Sequence, residues 1–566
     1  ADMAFGNVTG ASGGLLVGVN GSENFVDVDT NARVTVGDTA TVSVNQIDSN
    51  NSIIDGTSLT VTALNKTRAK SDSDGFAFGA AALGAHVARV EQTGGTAVNF
   101  GAGSDLLVRG DATVTSRSEK ATESYLKAGA GGLLAAVGGE SRAISNNANQ
   151  ITWADASTAN AGSTVNVSGD LSVLARNQDT YDSKIDASSI GLAGVTGGLA
   201  AADGDATVAV RIGNYGSVTA HNVDVITNNT LAKTSAFNDN FDFSGGGGLS
   251  AAVGYAEATQ DQHSKIYVGQ NAQLNSTGGF GDLGAINIKA LASNNMTTNA
   301  KVSTGAVVSV PRALARNTAV SRTGIYFEDN SLVATERGDL NIRTSANADI
   351  NSVAKTSVWG LAGVGAGSQA FADLDSREVI DVANGSVVRA NGFLNVYAGQ
   401  DDWRANVNVR AKANVFNKTL VAINAGLNAD SVVNREALIN VGSGGALQSA
   451  RHMTLRATQG DMNISGVGRN QFTVAGVPAE DSFGSTTETG SGVINIDGRV
   501  ETGIFNEQYI GFSRDFGNFY VASDGSTVRG TLTELNGNWY LNGQLLDIPE
   551  GSYSEELANK MRSGEN

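Results

Sequence analysis

A short alternating segment, apolar-x-apolar-x-small, returns along most of the chain and restricts the fold more than any other feature. Its copies are Leu59-Thr60-Val61-Thr62-Ala63, Ala112-Thr113-Val114-Thr115-Ser116, Leu171-Ser172-Val173-Leu174-Ala175 and Val223-Asp224-Val225-Ile226-Thr227. It continues as Ile286-Asn287-Ile288-Lys289-Ala290, Leu340-Asn341-Ile342-Arg343-Thr344, Leu394-Asn395-Val396-Tyr397-Ala398 and Met453-Thr454-Leu455-Arg456-Ala457. The central apolar residues, from Val61 to Leu455, recur at about 56 residues on average. A second strand, a turn and a third strand repeat upstream, most clearly as Ile266-Tyr267-Val268-Gly269 before Ala272-Gln273-Leu274. Several units open with small-residue runs such as Gly131-Gly132-Leu133-Leu134-Ala135-Ala136 or Gly360-Leu361-Ala362-Gly363-Val364. Period-two alternation rich in Val, Ile and Thr predicts strands with one buried face.

Three β architectures compete for such a unit. A propeller blade takes about 40–45 residues and carries recurrent aromatic punctuation, whereas aromatics here total 6%. An antiparallel sandwich needs tight Asn-Gly or Asp-Gly hairpins and does not repeat internally. The expectation is therefore an all-β, elongated right-handed parallel β-helix, its hand taken from the resemblance given below, with a small C-terminal cap or junction module. Composition agrees: 71 Gly but 3 Pro in 566 residues, with only Pro311 inside the repeats, leaves nearly every ladder donor in place. At roughly 20 residues per coil, each unit would supply two to three coils, and some 20 coils would make a rod on the order of 100 Å. Identical strands would stack Val on Val and Asn on Asn.

The repeat shaft is assigned to residues 1–460 and the cap to residues 461–566. The latter segment includes the aromatic run Phe505 to Tyr520, the hairpin-like Trp539-Tyr540-Leu541-Asn542-Gly543, and a capping-box helix start at Ser552-Tyr553-Ser554-Glu555. A solenoid end must hide its open strand edge, which gives this module its purpose.

The 38 Lys and Arg against 56 Asp and Glu leave a net charge of −18, which argues against nucleic acid or anionic lipid as partners. No run of 18 apolar residues predicts membrane insertion. With no Cys, a disulfide scaffold, a thiolate zinc site and a cysteine nucleophile are excluded together. The opening Ala1-Asp2-Met3-Ala4-Phe5 lacks a signal-peptide pattern, so the sequence is expected to be a processed form or an internal segment.

Two tripeptides of the integrin-ligand type, Arg109-Gly110-Asp111 and Arg337-Gly338-Asp339, are candidate receptor-binding turns. Both precede the recurrent strand at the position of Ser168-Gly169-Asp170, so turn chemistry alone also explains them. For catalysis, Asp401-Asp402 beside Trp403-Arg404, and Asp373 and Asp375 near Arg377, come nearest to a carboxylate cluster. Alternation puts Asp373, Asp375 and Arg377 on one face, where the arginine would neutralise its neighbours. The histidines His86, His221, His263 and His452 are scattered, and no phosphate loop occurs. The Gly runs Gly129-Ala130-Gly131-Gly132 and Gly363-Val364-Gly365-Ala366-Gly367 lack a βαβ context and are read as packing glycines. No catalytic residue, cofactor or metal site is expected.

Taken together, the Ile-x-Val-Gly, Ala-x-Val and Leu-x-Val-x-Ala repeats opened by Gly/Ala runs resemble the large exoproteins of two-partner secretion, the filamentous haemagglutinin and biofilm-matrix adhesin type. The likeness covers roughly residues 10–460 and is one of repeat style. It implies a right-handed β-helix exported across a Gram-negative outer membrane through a partner transporter barrel, hence a secreted or cell-surface location. The expected function is a non-enzymatic structural adhesin for cell-surface, cell–cell or biofilm-matrix attachment, with exopolysaccharide or a host or bacterial surface receptor as ligand. The alternatives are a filament subunit that self-associates end to end, and a polysaccharide lyase, hydrolase or epimerase on the same fold.

Overall fold

The computed structural model describes residues 2–44, 58–233, 240–278, 284–399, 407–472 and 482–503, and short strands within 520–546. It divides into two units, Ala1–Val500 and Glu501–Asn566. The larger unit is a parallel β-solenoid whose strands far exceed the usual ~3–10 residues. Ala112–Trp153 and Leu171–Ile212 run 42 residues each.

Each such strand is a flattened hairpin. Ala112 to Gly131 form an outgoing arm, the chain reverses at Gly132-Leu133, and Leu134 to Trp153 return. The arms meet through inward side chains, as where Ser141 Oγ donates to Ser124 Oγ at 2.9 Å and Lys120 Nζ donates to the Asn146 carbonyl at 2.9 Å. A corner then leads to a four-residue base strand, Thr164–Val167, and a turn starts the next coil at Leu171. Among the described residues nine base strands stack in one sheet, from Thr41–Val44 to Arg499–Thr502, one to each of nine coils.

Backbone pairing always joins one coil to the next. Val61 pairs in register with Val114, then Val173, Val225, Ile288, Ile342, Val396 and Leu455. One sequence unit is thus one coil, which corrects the expected two to three coils per unit. Eight steps of about 4.8 Å make a stack of about 40 Å in place of the expected rod of ~100 Å, while an arm of about 20 residues spans about 65 Å. The short-coil expectation fails because the arms join by side chains, and their middle inward positions are Ser, Thr and Asn, indistinguishable in sequence from outward ones.

The interior is zoned. Val114, Ile151, Trp153, Val165 and their counterparts fill the base, and Leu126, Ala128, Ala135, Val137 and theirs fill the tip end. Between these apolar zones lies a band of buried polar residues, including Ser116, Ser118, Lys120, Thr122, Ser124, Ser145 and Asn149. Burial in both apolar zones supplies the main driving force, roughly 25 cal/mol per Å², and part of the band is paired across the arms, as where Thr122 Oγ1 donates to Gln92 Oε1 at 2.8 Å.

Two details of the expected layout differ or gain a cause. The ladder continues past residue 460, with Val407–Asn417 pairing with Met462–Phe472 and Leu427–Val441 with Ser482–Ile496. Pro311 pairs with the preceding coil opposite Ala252, but toward the next coil it lies where the register shifts between Ser309 and Arg312, so its missing donor falls at an irregularity. In the smaller unit, Leu532–Leu535, Asn538–Leu541 and Gln544–Leu546 form an antiparallel sheet, and Trp539 lies in a hairpin strand as expected. Phe505 to Phe519 and the capping-box segment lie outside the described residues.

Candidate functional site

Both Arg-Gly-Asp tripeptides sit in the turn between a base strand and the next outgoing arm. Asp111 Oδ1 accepts the Asp170 N–H at 2.9 Å, and Asp339 Oδ1 accepts the Phe393 N–H at 2.8 Å. Each carboxylate therefore ties its own turn to the turn one coil on. Arg109 and Arg337 are exposed, while Gly338 is buried.

Asp373, Asp375 and Arg377 share the outward face of a return arm, as alternation predicts. Their neutralisation runs across coils and not along the strand. Arg322 pairs with Asp375, Arg377 Nε with Glu436 at 2.8 Å, and Arg316 with Asp373 at 4.0 Å. Arg322, Asp375, Arg377 and Glu436 line one shallow groove with Asn434 and Thr489. Asp401, Asp402, Trp403 and Arg404 lie outside the described residues.

Near the base, the outward face carries an amide ladder. Asn287 Nδ2 donates to Asp224 Oδ1 at 2.8 Å, Asn341 Nδ2 to Asn287 Oδ1 at 3.0 Å, and Asn395 Nδ2 to Asn341 Oδ1 at 2.9 Å. Asn287 and Asn341 each use one N–H and the oxygen along the stack, and Asn395 one N–H, so each amide keeps donor or acceptor capacity beyond the ladder. A farther rung pair, Asn495 Nδ2 to Asn440 Oδ1 at 3.0 Å, borders a groove shared with Asp329, Asp381 and Asp497.

At the tips the small-residue openers bring Gly79, Gly132, Gly191 and Gly247 into one column. A Cβ on Gly247 would meet the Gly191 carbonyl oxygen at 1.6 Å and one on Gly132 the Gly79 carbonyl oxygen at 1.8 Å, so close packing requires glycine in this column, and Gly132 is the member that the sequence reading named. The position after this column is exposed and apolar in several coils: Leu133 at 62%, Leu192 at 66%, Leu361 after Gly360 at 55%, and Leu420 after Thr419 at 64%. This ridge was not foreseen. Its signal was present in the recurrent Leu beside the opener glycines, but an apolar residue in a solenoid reads as core.

Inside the polar band, Asp179 is wholly buried and its carboxyl is pushed up to about 6 by burial, opposed by Lys120, Asn147 and Asn177. Burial likewise brings the Lys120 ammonium down to about 8. Two buried ion pairs join coils: Lys233 with Asp182 at 2.9 Å and Arg435 with Glu378 at 2.8 Å. His86 is buried against Ser22 Oγ at 2.8 Å, and burial lowers its pKa. His221 and His263 face Asp170 and Asp261. Among the described residues no group of three or more His, Cys, Asp or Glu is placed to hold a metal ion.

These features define a parallel β-solenoid with zoned interior and laddered faces. No family model, curated protein or solved structure matches the chain.

Proposed function

We propose that this chain is a non-enzymatic shaft segment of a secreted bacterial adhesin of two-partner-secretion type, engaging repetitive surface polymers such as exopolysaccharide. The observation that carries the reading is the outward amide ladder Asp224–Asn287–Asn341–Asn395, repeated at the coil spacing. A periodic row of half-engaged amides suits a periodic polyhydroxylated polymer, since many weak hydrogen bonds add through avidity. The resemblance in repeat style supplies the export route through an outer-membrane partner and the cell-surface location.

The test is retention on immobilised bacterial exopolysaccharides, comparing the chain with an Asn287→Ala, Asn341→Ala, Asn395→Ala triple variant. Retention by the parent and a loss of tenfold or more in the variant support the reading. No retention of the parent on any polysaccharide or cell surface rejects it. The groove of Asp375, Glu436, Arg322 and Arg377 favours a second reading, a polysaccharide-acting enzyme. Against it, both carboxylates are engaged by arginines. Release of reducing or unsaturated ends that vanishes in Glu436→Gln would establish it.

A further inference from the structure

The outgoing arm of the coil that begins at Val223 is interrupted once. Lys233 pairs with Tyr181 and Met296, and the ladder resumes where Phe241 pairs with Ile185 and Ala300. That coil thus carries residues 234–240 where its neighbours carry only 182–184 and 297–299. Lys233 and Asn240 converge on one buried carboxylate.

Asp182 Oδ1 accepts from Lys233 Nζ at 2.9 Å and from Asn240 Nδ2 at 2.7 Å. Asp182, Lys233 and Asn240 are exposed by 0%, 3% and 2%. Asp182 faces inward because Tyr181, Asp182 and Ser183 break the strand's alternation and are buried in succession. The amide orientation of Asn240 is set on both sides: Nδ2 also donates to the Ser183 carbonyl at 2.9 Å, and Oδ1 accepts the Asn299 N–H at 3.1 Å. An amine, an amide and an acid are therefore enclosed together, with a backbone N–H on the amide oxygen.

We propose that Lys233 and Asn240 join in an intramolecular isopeptide bond, formed by the chain itself with Asp182 as proton carrier. Asp182 takes a proton from the Lys233 ammonium, and the freed Nζ lone pair attacks Asn240 Cγ. The electron pair of the C=O moves onto Oδ1, where the Asn299 N–H stabilises it. As the C=O re-forms, the Cγ–Nδ2 bond breaks, Asp182 protonates Nδ2, and the remaining Nζ proton passes to the carboxylate. The products are one Nζ–Cγ amide and one ammonia, with no oxidant or co-reactant. Burial lowers the Lys233 pKa and so favours the neutral amine the attack needs. The bond would replace a buried ion pair, an arrangement that is costly to desolvate, by a neutral amide.

The test is intact mass spectrometry of the full chain under denaturing conditions, followed by a tryptic map. The expected mass is lower than calculated by one ammonia. The map should contain a branched peptide linking Lys233 to Asn240, with no cleavage after Lys233. Lys233→Met and Asn240→Ala should each restore the full mass, and Asp182→Asn should leave most of the chain unlinked. A full-mass parent cleaved after Lys233 overturns the proposal. So does an ammonia loss found only in linear peptides, the mark of succinimide at an Asn-Gly step. Because the parent protein decides the matter, misfolding of a variant does not obscure it.

Discussion

Gly360 shows at the level of one residue how little space the tips allow. Its φ is +144°, and a Cβ there would meet the Ala306 carbonyl oxygen at 1.7 Å. Backbone cannot yield as a flexible side chain would, so Gly360→Ala should destabilise by roughly 2–4 kcal/mol, read from the urea midpoint. Asp179 gives a pH signature. Its carboxyl sits at about 6 in the fold against 3.8 unfolded, so the folded state holds the proton more tightly. Its contribution is complete below pH ~4 and is lost as pH rises through ~6, about 3 kcal/mol in all. Asp179→Asn should therefore gain stability relative to the parent between pH 4 and pH 6.5, measured as the difference of their urea midpoints. A flat difference would contradict the burial of this group. The burial of Asp179 was not legible in the sequence, where it stands in Arg176-Asn177-Gln178-Asp179-Thr180 like any solvated stretch.

The elements were more legible than their arrangement. Alternation located the strand residues, because inward Val and Ile at the base reveal their period directly. It did not reveal where an arm turns back, since the reversal at Gly132-Leu133 skips only Leu133 in the ladder to the next coil and carries no Pro or Asn-Gly signal. The receptor-type turns belong to this scale. Loss of the Asp339 carboxylate leaves the Phe393 N–H without its acceptor, and Asp339→Ala should cost about 1 kcal/mol. Cell attachment, if it proceeds through the amide ladder, should be unchanged in that variant; a selective loss of attachment would return the Arg-Gly-Asp turn to receptor binding. The ion pairs on the return arms are half-exposed, and Asp375→Asn should change stability by less than about 1 kcal/mol. The tip ridge behaves oppositely to core. Replacing Leu133, Leu192, Leu361 and Leu420 by Ser should leave the unfolding midpoint nearly unchanged while lowering binding of a hydrophobic dye.

For the larger unit as a whole, the period read from Val61 to Leu455 is the true repeat, and the error lay in dividing it. A direct check is to excise one coil. Because Ile286 pairs with Leu340, deleting residues 286–339 places each following residue where its predecessor stood. This variant should fold cooperatively, as nearest-neighbour solenoids do, whereas a deletion of about 20 residues at the same point should not. Cooperative unfolding of the shorter deletion would restore the short-coil picture.

The coil-on-coil pairing also sets how the larger unit would respond to tension. Force applied along the stack does not shear its long ladders all at once but opens them from an end, one bond after another. Each coil set free would pay out about 56 residues, roughly 190 Å of slack at about 3.4 Å per residue. A tether built this way yields in long, even steps, absorbing sudden loads while the coils that remain keep their grip.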